Sequence, residues 1–118
     1  MPDDLYPSPD RHFAQKRREL APETAEAFAA FSKQVFADGA LPASTKQLIA
    51  VAVAHVTQCP YCIRGHTRGA FRAGASEAEI MEAIWVAAEM RAGGSYAHSV
   101  IALSEMERAT VREPRSGP

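Results

Sequence analysis

Pro60 interrupts a stretch of the chain that otherwise has the pattern of a continuous helix. Before it, residues 44–58 carry apolar side chains on nearly every side, as expected of a helix that is buried on most of its faces. Proline lacks the backbone N–H, its ring clashes with the preceding turn, and it disfavours helical backbone at the residue before it. The sequence therefore predicts one helix that ends near Gln58 and another that begins with Cys59 at the N-cap and Pro60 at its first position.

Helical spacing also dominates the rest of the chain. Pro22 suits the first turn of a helix. Ser76 and Glu79 have the spacing of a capping box, in which each residue's side chain bonds the other's backbone N–H. Gly93-Gly94 is expected to end the helix that starts there, and a last helix is expected over residues 95–111. No segment alternates as a strand would, so the predicted fold is all-α, a compact domain of about five to six helices.

The domain is expected to occupy residues 10–112, between an extended arm at 1–9 and a tail at 113–118. The net charge of −1 predicts no general attraction to nucleic acid or anionic membrane surfaces. There is no apolar run long enough for a membrane span and no pattern typical of a secretory signal, so we expect a cytoplasmic protein. A chain of 118 residues buries only a small core, which favours a homo-oligomer.

Cys59, Cys62 and His66 form the candidate chemical site. Their spacing of three and then four residues places them on one face of the predicted helix. A helix N-terminus favours a thiolate, which is the reactive form of cysteine, and a second thiol nearby can close an internal disulfide. A histidine on the same face can accept and return a proton near neutral pH. Cytosolic thiols are usually kept reduced, so this pattern predicts redox or metal chemistry rather than a structural disulfide.

Two other interpretations of these residues remain open. The cysteines could be small core residues without chemistry. Alternatively, His55 together with Cys59, Cys62 and His66 supplies the ligand types of a zinc site, although zinc fingers place their ligand pairs on separate elements. No glycine-rich phosphate loop or dinucleotide motif is present, so no nucleotide cofactor is expected.

Three further segments of the chain belong together: Lys46-Gln47-Leu48-Ile49, Cys59-Pro60-Tyr61-Cys62-Ile63-Arg64-Gly65-His66 and Gly74-Ala75-Ser76-Glu77-Ala78-Glu79-Ile80. Their combination resembles the alkylhydroperoxidase D core of the carboxymuconolactone decarboxylase family. The likeness covers about residues 40–105. It implies an all-helical fold that assembles into homo-trimers or homo-hexamers.

In the redox branch of this family, the resemblance implies a peroxidase that reduces hydroperoxides with electrons from a thioredoxin-like or lipoyl-type protein. Cys59 and Cys62 would be the redox pair, and His66 would belong to the proton relay. The family's relay commonly includes a glutamate where this chain has Gln47, which can form hydrogen bonds but cannot take up a proton. Tyr61 also replaces a histidine found in some peroxidase members.

Gln47 and His55 complete the set of candidate catalytic residues. Gln47 has a second interpretation, because it lies at capping-box spacing from Ser44. His55, one turn before Cys59, could replace the missing base and tune the thiols together with His66. An alternative for His55 is an ordinary hydrogen-bonded histidine in a buried helix.

Two rival functions accompany the peroxidase hypothesis. One is a decarboxylase-like lyase acting on a cyclic lactone acid, which would use His66 and a basic stripe formed by Arg64, Arg68 and Arg72. That stripe is more typical of a solvated helix face than of a docking site for an acidic redox partner or a substrate carboxylate. The other is a non-catalytic helical module with a metal-binding or redox-sensing site.

Overall fold

The computed structural model describes residues 5–112, and within that range every regular element is an α-helix. The helices, in chain order, are α1 Arg11–Leu20, α2 Pro22–Phe36, α3 Ala43–Thr57, α4 Pro60–Arg72 and α5 Glu77–Arg112. The all-α prediction is confirmed. Residues 5–10 of the expected arm precede α1 without helical structure, whereas residues 1–4 and the expected tail at 113–118 lie outside the described range.

The helix boundary predicted at Pro60 is confirmed. Helix α3 ends at Thr57, Gln58 takes the left-handed conformation with φ of 57°, and α4 begins at Pro60 with Cys59 as its N-cap. The Cys59 N–H donates to the Ala54 carbonyl at 3.1 Å, which satisfies one of the free carbonyls at the end of α3. The chain therefore turns back on itself within two residues, and α4 packs along α3.

Helix α3 is central to the core, with α4 and α5 packed against it. Val51 of α3 and Ala70 of α4 are fully buried, and Ile80 of α5 completes the cluster. The small Ala70 side chain lets α4 come close to α3. Three partly buried side chains surround this cluster, namely Leu48, Ala75 and Ile84. Helix α1 packs only on α2 among the described helices, and α2 in turn meets α3.

The predicted helix break at Gly93-Gly94 is wrong, because α5 continues through both residues to Arg112. Each helical glycine costs only about 1 kcal/mol relative to alanine, which the flanking turns can offset. The positive φ that ends a helix belongs instead to Gly74, at 94°. The predicted capping box follows it, since Glu79 N–H donates to Ser76 Oγ at 3.1 Å and Ser76 N–H donates to Glu79 Oε1 at 2.8 Å.

The predicted capping box at Ser44 and Gln47 is also wrong. Helix α3 begins at Ala43, one residue earlier, and has no side-chain cap of its own. The Ala43 N–H instead donates to Asp38 Oδ1 at 2.7 Å, so a carboxylate from the preceding loop stabilises the helix start. Ser44 consequently lies within the first turn, and the Gln47 side chain is available for another partner.

The chain is extended for its length. Its Cα radius of gyration is 21.7 Å, whereas a compact domain of this size has about 13–14 Å. The second half of α5, from residue 95 onward, is exposed along its whole described length. Among the described residues, none of the helices is both long and apolar enough to cross a membrane.

Candidate functional site

Cys59 and Cys62 form a dithiol at the start of α4. Cys59 is the N-cap residue, and its Sγ accepts the Cys62 backbone N–H at 3.2 Å. Both thiols are free and half-buried. Because Pro60 at the first helical position fixes this start, the sulfur of Cys59 takes the place that a capping serine or aspartate oxygen usually occupies. The helix N-terminus thus presents its partial positive charge to this sulfur.

The two thiols are electrostatically unequal. The hydrogen bond from the Cys62 thiol, followed by the Cys62 backbone N–H, lowers the pKa of Cys59 below its ordinary value. The same thiol–thiol hydrogen bond, followed by burial, raises the pKa of Cys62. Of the two thiols, Cys59 is therefore the one that loses its proton first, and Cys62 is the one that keeps it.

His66 is held by contacts from two other helices. Its Nδ1 lies 2.9 Å from Oε1 of Gln47 on α3. The ring of Phe36, the last residue of α2, stacks on the imidazole with centroids 4.9 Å apart and an interplanar angle of 25°. An amide oxygen can only accept, so Nδ1 of the neutral ring carries the proton and Nε2 is left as a proton acceptor.

A cavity of about 400 Å³ adjoins this side of the dithiol. Cys62 and His66 lie in its wall, whereas Cys59 does not. The remaining lining residues come from α2 and α3 and are mostly apolar: Val35, Phe36, Lys46, Ile49, Ala50, Val53, Ala54 and Thr57. A cavity of this size and composition fits the apolar part of a small organic molecule.

Lys46 joins the two helices that line the cavity. Its Nζ donates to the carbonyl oxygens of Val35 at 2.8 Å and Ala37 at 2.6 Å, at the C-terminal end of α2. This ammonium satisfies two of the unpaired carbonyls of that helix end and favours its negative dipole. Lys46 therefore holds α2, and with it Phe36, against α3.

The structure brings together Cys59, Cys62, His66 and Gln47 of the predicted set, but it places His55 elsewhere. The His55 Nδ1 donates to the Val51 carbonyl oxygen of its own helix at 2.7 Å, and His55 does not line the cavity. Within residues 5–112, no three His, Cys, Asp or Glu side chains are arranged to hold a metal ion. The four-ligand zinc interpretation thus finds no support in the described geometry.

Sequence reasoning missed three contributors to this site: Phe36, Lys46, and Gly69, whose lack of a side chain leaves room for the Gln47 amide. The signal for Gly69 was available, since glycine in the interior of a helix is costly and asks for a packing reason. Phe36 and Lys46 act through a tertiary contact that periodicity does not reveal. Tyr61 does not contribute to the cavity. Its hydroxyl donates to the Pro7 carbonyl oxygen at 2.8 Å, which connects the N-terminal arm to α4.

The fold and site define a class of small all-helical proteins with a dithiol at a helix N-terminus beside an apolar cavity. The sequence profile of the carboxymuconolactone decarboxylase family matches residues 22–105. The chain therefore belongs to the carboxymuconolactone decarboxylase family.

Individual proteins are similar to this chain over most of its length. A Paracoccus denitrificans protein, known as uncharacterized protein 4 in the cox locus, is 68% identical over 82 residues, which are 70% of this chain and 74% of that protein. A crystallised family protein from Legionella pneumophila, in its apo form, is 34% identical with a TM-score of 0.63, covering 80% of this chain and 84% of that one.

A third relative is a Thermotoga maritima family protein with a suggested involvement in antioxidative response. It is 27% identical with a TM-score of 0.52, and the match covers 72% of this chain and 94% of that one.

The unequal thiols lead to a prediction about their pH dependence. Cys59 should become reactive toward iodoacetamide at a lower pH than Cys62, because the hydrogen bond that lowers the pKa of Cys59 raises that of Cys62. Peptide mass spectrometry after brief alkylation over a pH series measures both titrations. Replacing the donor thiol with Cys62→Ala should shift the Cys59 titration upward. A Cys62 titration below that of Cys59 would contradict this assignment.

Proposed function

We propose that this protein is a thiol-dependent peroxidase, a disulfide oxidoreductase of the antioxidant type that reduces hydroperoxides through Cys59 and Cys62. The observation that carries the proposal is the shared position of Cys62 and His66 in the wall of one apolar cavity, with Cys59 hydrogen-bonded to Cys62 behind it. A peroxide held in that cavity would meet a sulfur and a proton acceptor together.

The first step is attack by Cys62. His66 Nε2 takes the Cys62 proton, and the resulting thiolate attacks the distal oxygen of the hydroperoxide. The O–O bond breaks, the alcohol leaves with the proton held by His66, and Cys62 becomes a sulfenic acid. Cys62 is the attacking sulfur although Cys59 has the lower pKa, because Cys62 lines the cavity and Cys59 does not.

The second step closes the disulfide. The Cys59 thiolate attacks the Cys62 sulfur, an S–S bond forms, the S–O bond of the sulfenic acid breaks, and the hydroxyl leaves as water with a proton taken from solvent. Two electrons from a thiol carrier protein of the thioredoxin-like or lipoyl type then reopen the disulfide. Cys59, which lies at the helix start and outside the cavity, is the sulfur that this partner would reach.

The cavity supports thiol chemistry better than the rival lyase activity. A lactone acid substrate would need a cation for its carboxylate. Among the described lining residues, Lys46 is the lysine or arginine that could supply this cation. Its Nζ, however, already donates to two backbone carbonyls. The predicted basic stripe lies on the exposed side of α4, and none of its three residues lines this cavity: Arg64, Arg68 and Arg72.

Single-cysteine variants test the proposed roles. Cys59→Ser should still consume one equivalent of an organic hydroperoxide and accumulate a sulfenic acid on Cys62, whereas Cys62→Ser should lose this reaction. Stopped-flow consumption and a sulfenic-acid probe provide the two measurements. The opposite pattern would assign the attack to Cys59, and a reaction that survives loss of both thiols would refute the thiol mechanism.

His66→Gln should slow the same single turnover by about 100-fold, the low end of the usual contribution of general acid–base catalysis. His55→Gln is the matched variant. Its effect should be small, since the His55 ring is bonded to the Val51 carbonyl away from the cavity. Equal losses in both variants would instead support a direct role for His55.

We also propose that the protein works as a homo-oligomer, a trimer or hexamer as the family resemblance implies. The extended shape leaves many large apolar side chains in contact with solvent, including several on the second half of α5: Val100, Ile101, Leu103 and Met106. Exposed apolar side chains grouped on one helix in this way are typical of a subunit interface.

Leu103→Asp together with Met106→Asp should therefore lower the mass measured by light scattering after size exclusion. These charges would have to be buried in an interface, which is strongly unfavourable. Thr110→Asp adds one such negative charge at an exposed polar position of α5 and should leave the assembly intact. A wild-type mass equal to that of one 12.8 kDa chain would contradict the assembly.

A further inference from the structure

Gly69 lies inside α4, directly beside the side-chain amide of Gln47 on α3. A Cβ atom at this position would be 2.6 Å from Gln47 Oε1 and 2.9 Å from its Cδ, closer than side chains pack in real proteins. Gly65, one turn earlier on the same helix, would place a Cβ with no atom within 4 Å. The missing side chain at Gly69 is therefore what leaves room for the Gln47 amide.

The Gln47 amide joins Gly69 to His66. Gly69 and His66 are three residues apart on α4, so they share a face, and the amide lies against that face from α3. Its Oε1 accepts the His66 Nδ1–H at 2.9 Å. All three residues are half-buried, which protects this hydrogen bond from exchange with water.

We propose that Gly69 is a positioning residue that seats Gln47 and thereby fixes the tautomer and orientation of His66. With Nδ1–H directed to the amide oxygen, Nε2 of the neutral ring is unprotonated and free to accept a proton. Phe36 stacks on the ring and restricts its tilt. Gly69 touches no reacting atom, and it acts through Gln47 alone.

The Gln47 amide also ends the proton pathway at His66. Gln47 holds the Nδ1 proton in place but cannot take it, so a proton accepted at Nε2 has to return from His66 to the leaving group or to solvent. A carboxylate at position 47 would favour the protonated ring, whereas an amide favours one neutral tautomer. This catalytic consequence rests on the proposed function, but the seating of Gln47 and the tautomer of His66 do not.

Gly69→Ala and Gly65→Ala form a matched pair of test variants on one helix. Gly69→Ala should displace the Gln47 amide, so the ¹⁵N spectrum of His66 should change from one dominant Nδ1–H tautomer to a mixture. Single turnover with an organic hydroperoxide should slow by about 10- to 100-fold, as misplacement of a catalytic group commonly does. Gly65→Ala should keep the wild-type tautomer and rate, since its Cβ meets open space.

Gln47→Ala keeps the test decisive if Gly69→Ala fails to fold, because it removes the amide while retaining the glycine. It should produce the same tautomer mixture as Gly69→Ala. Adding Gln47→Ala to Gly69→Ala should cause little further loss, since both changes remove the same hydrogen bond.

An unchanged His66 tautomer in folded Gly69→Ala would overturn the proposal, as would an unchanged tautomer in Gln47→Ala or fully additive effects of the two changes. A shifted tautomer in a protein whose wild-type form consumes no hydroperoxide would support the seating of Gln47 and contradict the peroxidase function instead.

Discussion

The close packing of α4 against α3 is the constraint on which the site depends. Pro60 ends one helix and begins the next, and the fully buried Val51 and Ala70 hold the two together. This hairpin places the start of α3, with Gln47, beside the middle of α4, with His66. The same boundary makes Cys59 an N-cap residue. One turn of the chain thus determines both the electrostatics of the dithiol and the position of its histidine.

The site divides its tasks between two sulfurs with different surroundings. Cys59 has the helix N-terminus and two hydrogen-bond donors from Cys62, which lower its pKa. Cys62 has the cavity wall and His66 beside it. Under the proposed mechanism, the cavity determines which sulfur meets the peroxide, and the hydrogen bonds determine which sulfur ionises more readily. Cys62, the proposed nucleophile, needs His66 as a base, whereas Cys59, the resolving sulfur, ionises more readily and needs none. This division of roles is compatible with one proton shared between the two sulfurs.

Local signals in the sequence predicted the features that depend on a few adjacent residues. Pro60 gave the helix boundary, and Ser76 with Glu79 gave a capping box that the structure contains. The capping box expected at Ser44 failed because a carboxylate from the preceding loop, Asp38, occupies that role. The break expected at Gly93-Gly94 failed because two helical glycines cost too little to end a helix by themselves.

Features that depend on contacts between helices were not predictable from spacing. The partner of Gln47 is nineteen residues away on another helix, and the ring that stacks on His66 is thirty residues away. Sequence separations of this kind produce no periodic pattern of residue types from which the contacts could be predicted. His55 is the opposite case, in which sequence spacing suggested a contact that the structure lacks. It lies one turn before Cys59, yet its side chain donates a hydrogen bond to the Val51 carbonyl of its own helix.

The central claim is that Cys59 and Cys62 cycle between dithiol and disulfide when they meet a hydroperoxide. Intact-mass spectrometry with thiol counting, before and after one equivalent of an organic hydroperoxide, tests it most directly. The account predicts that both thiols disappear, that each chain loses the mass of two hydrogen atoms, and that a peptide map joins Cys59 to Cys62. Two thiols still titratable after the hydroperoxide treatment, with no change in mass, would contradict it.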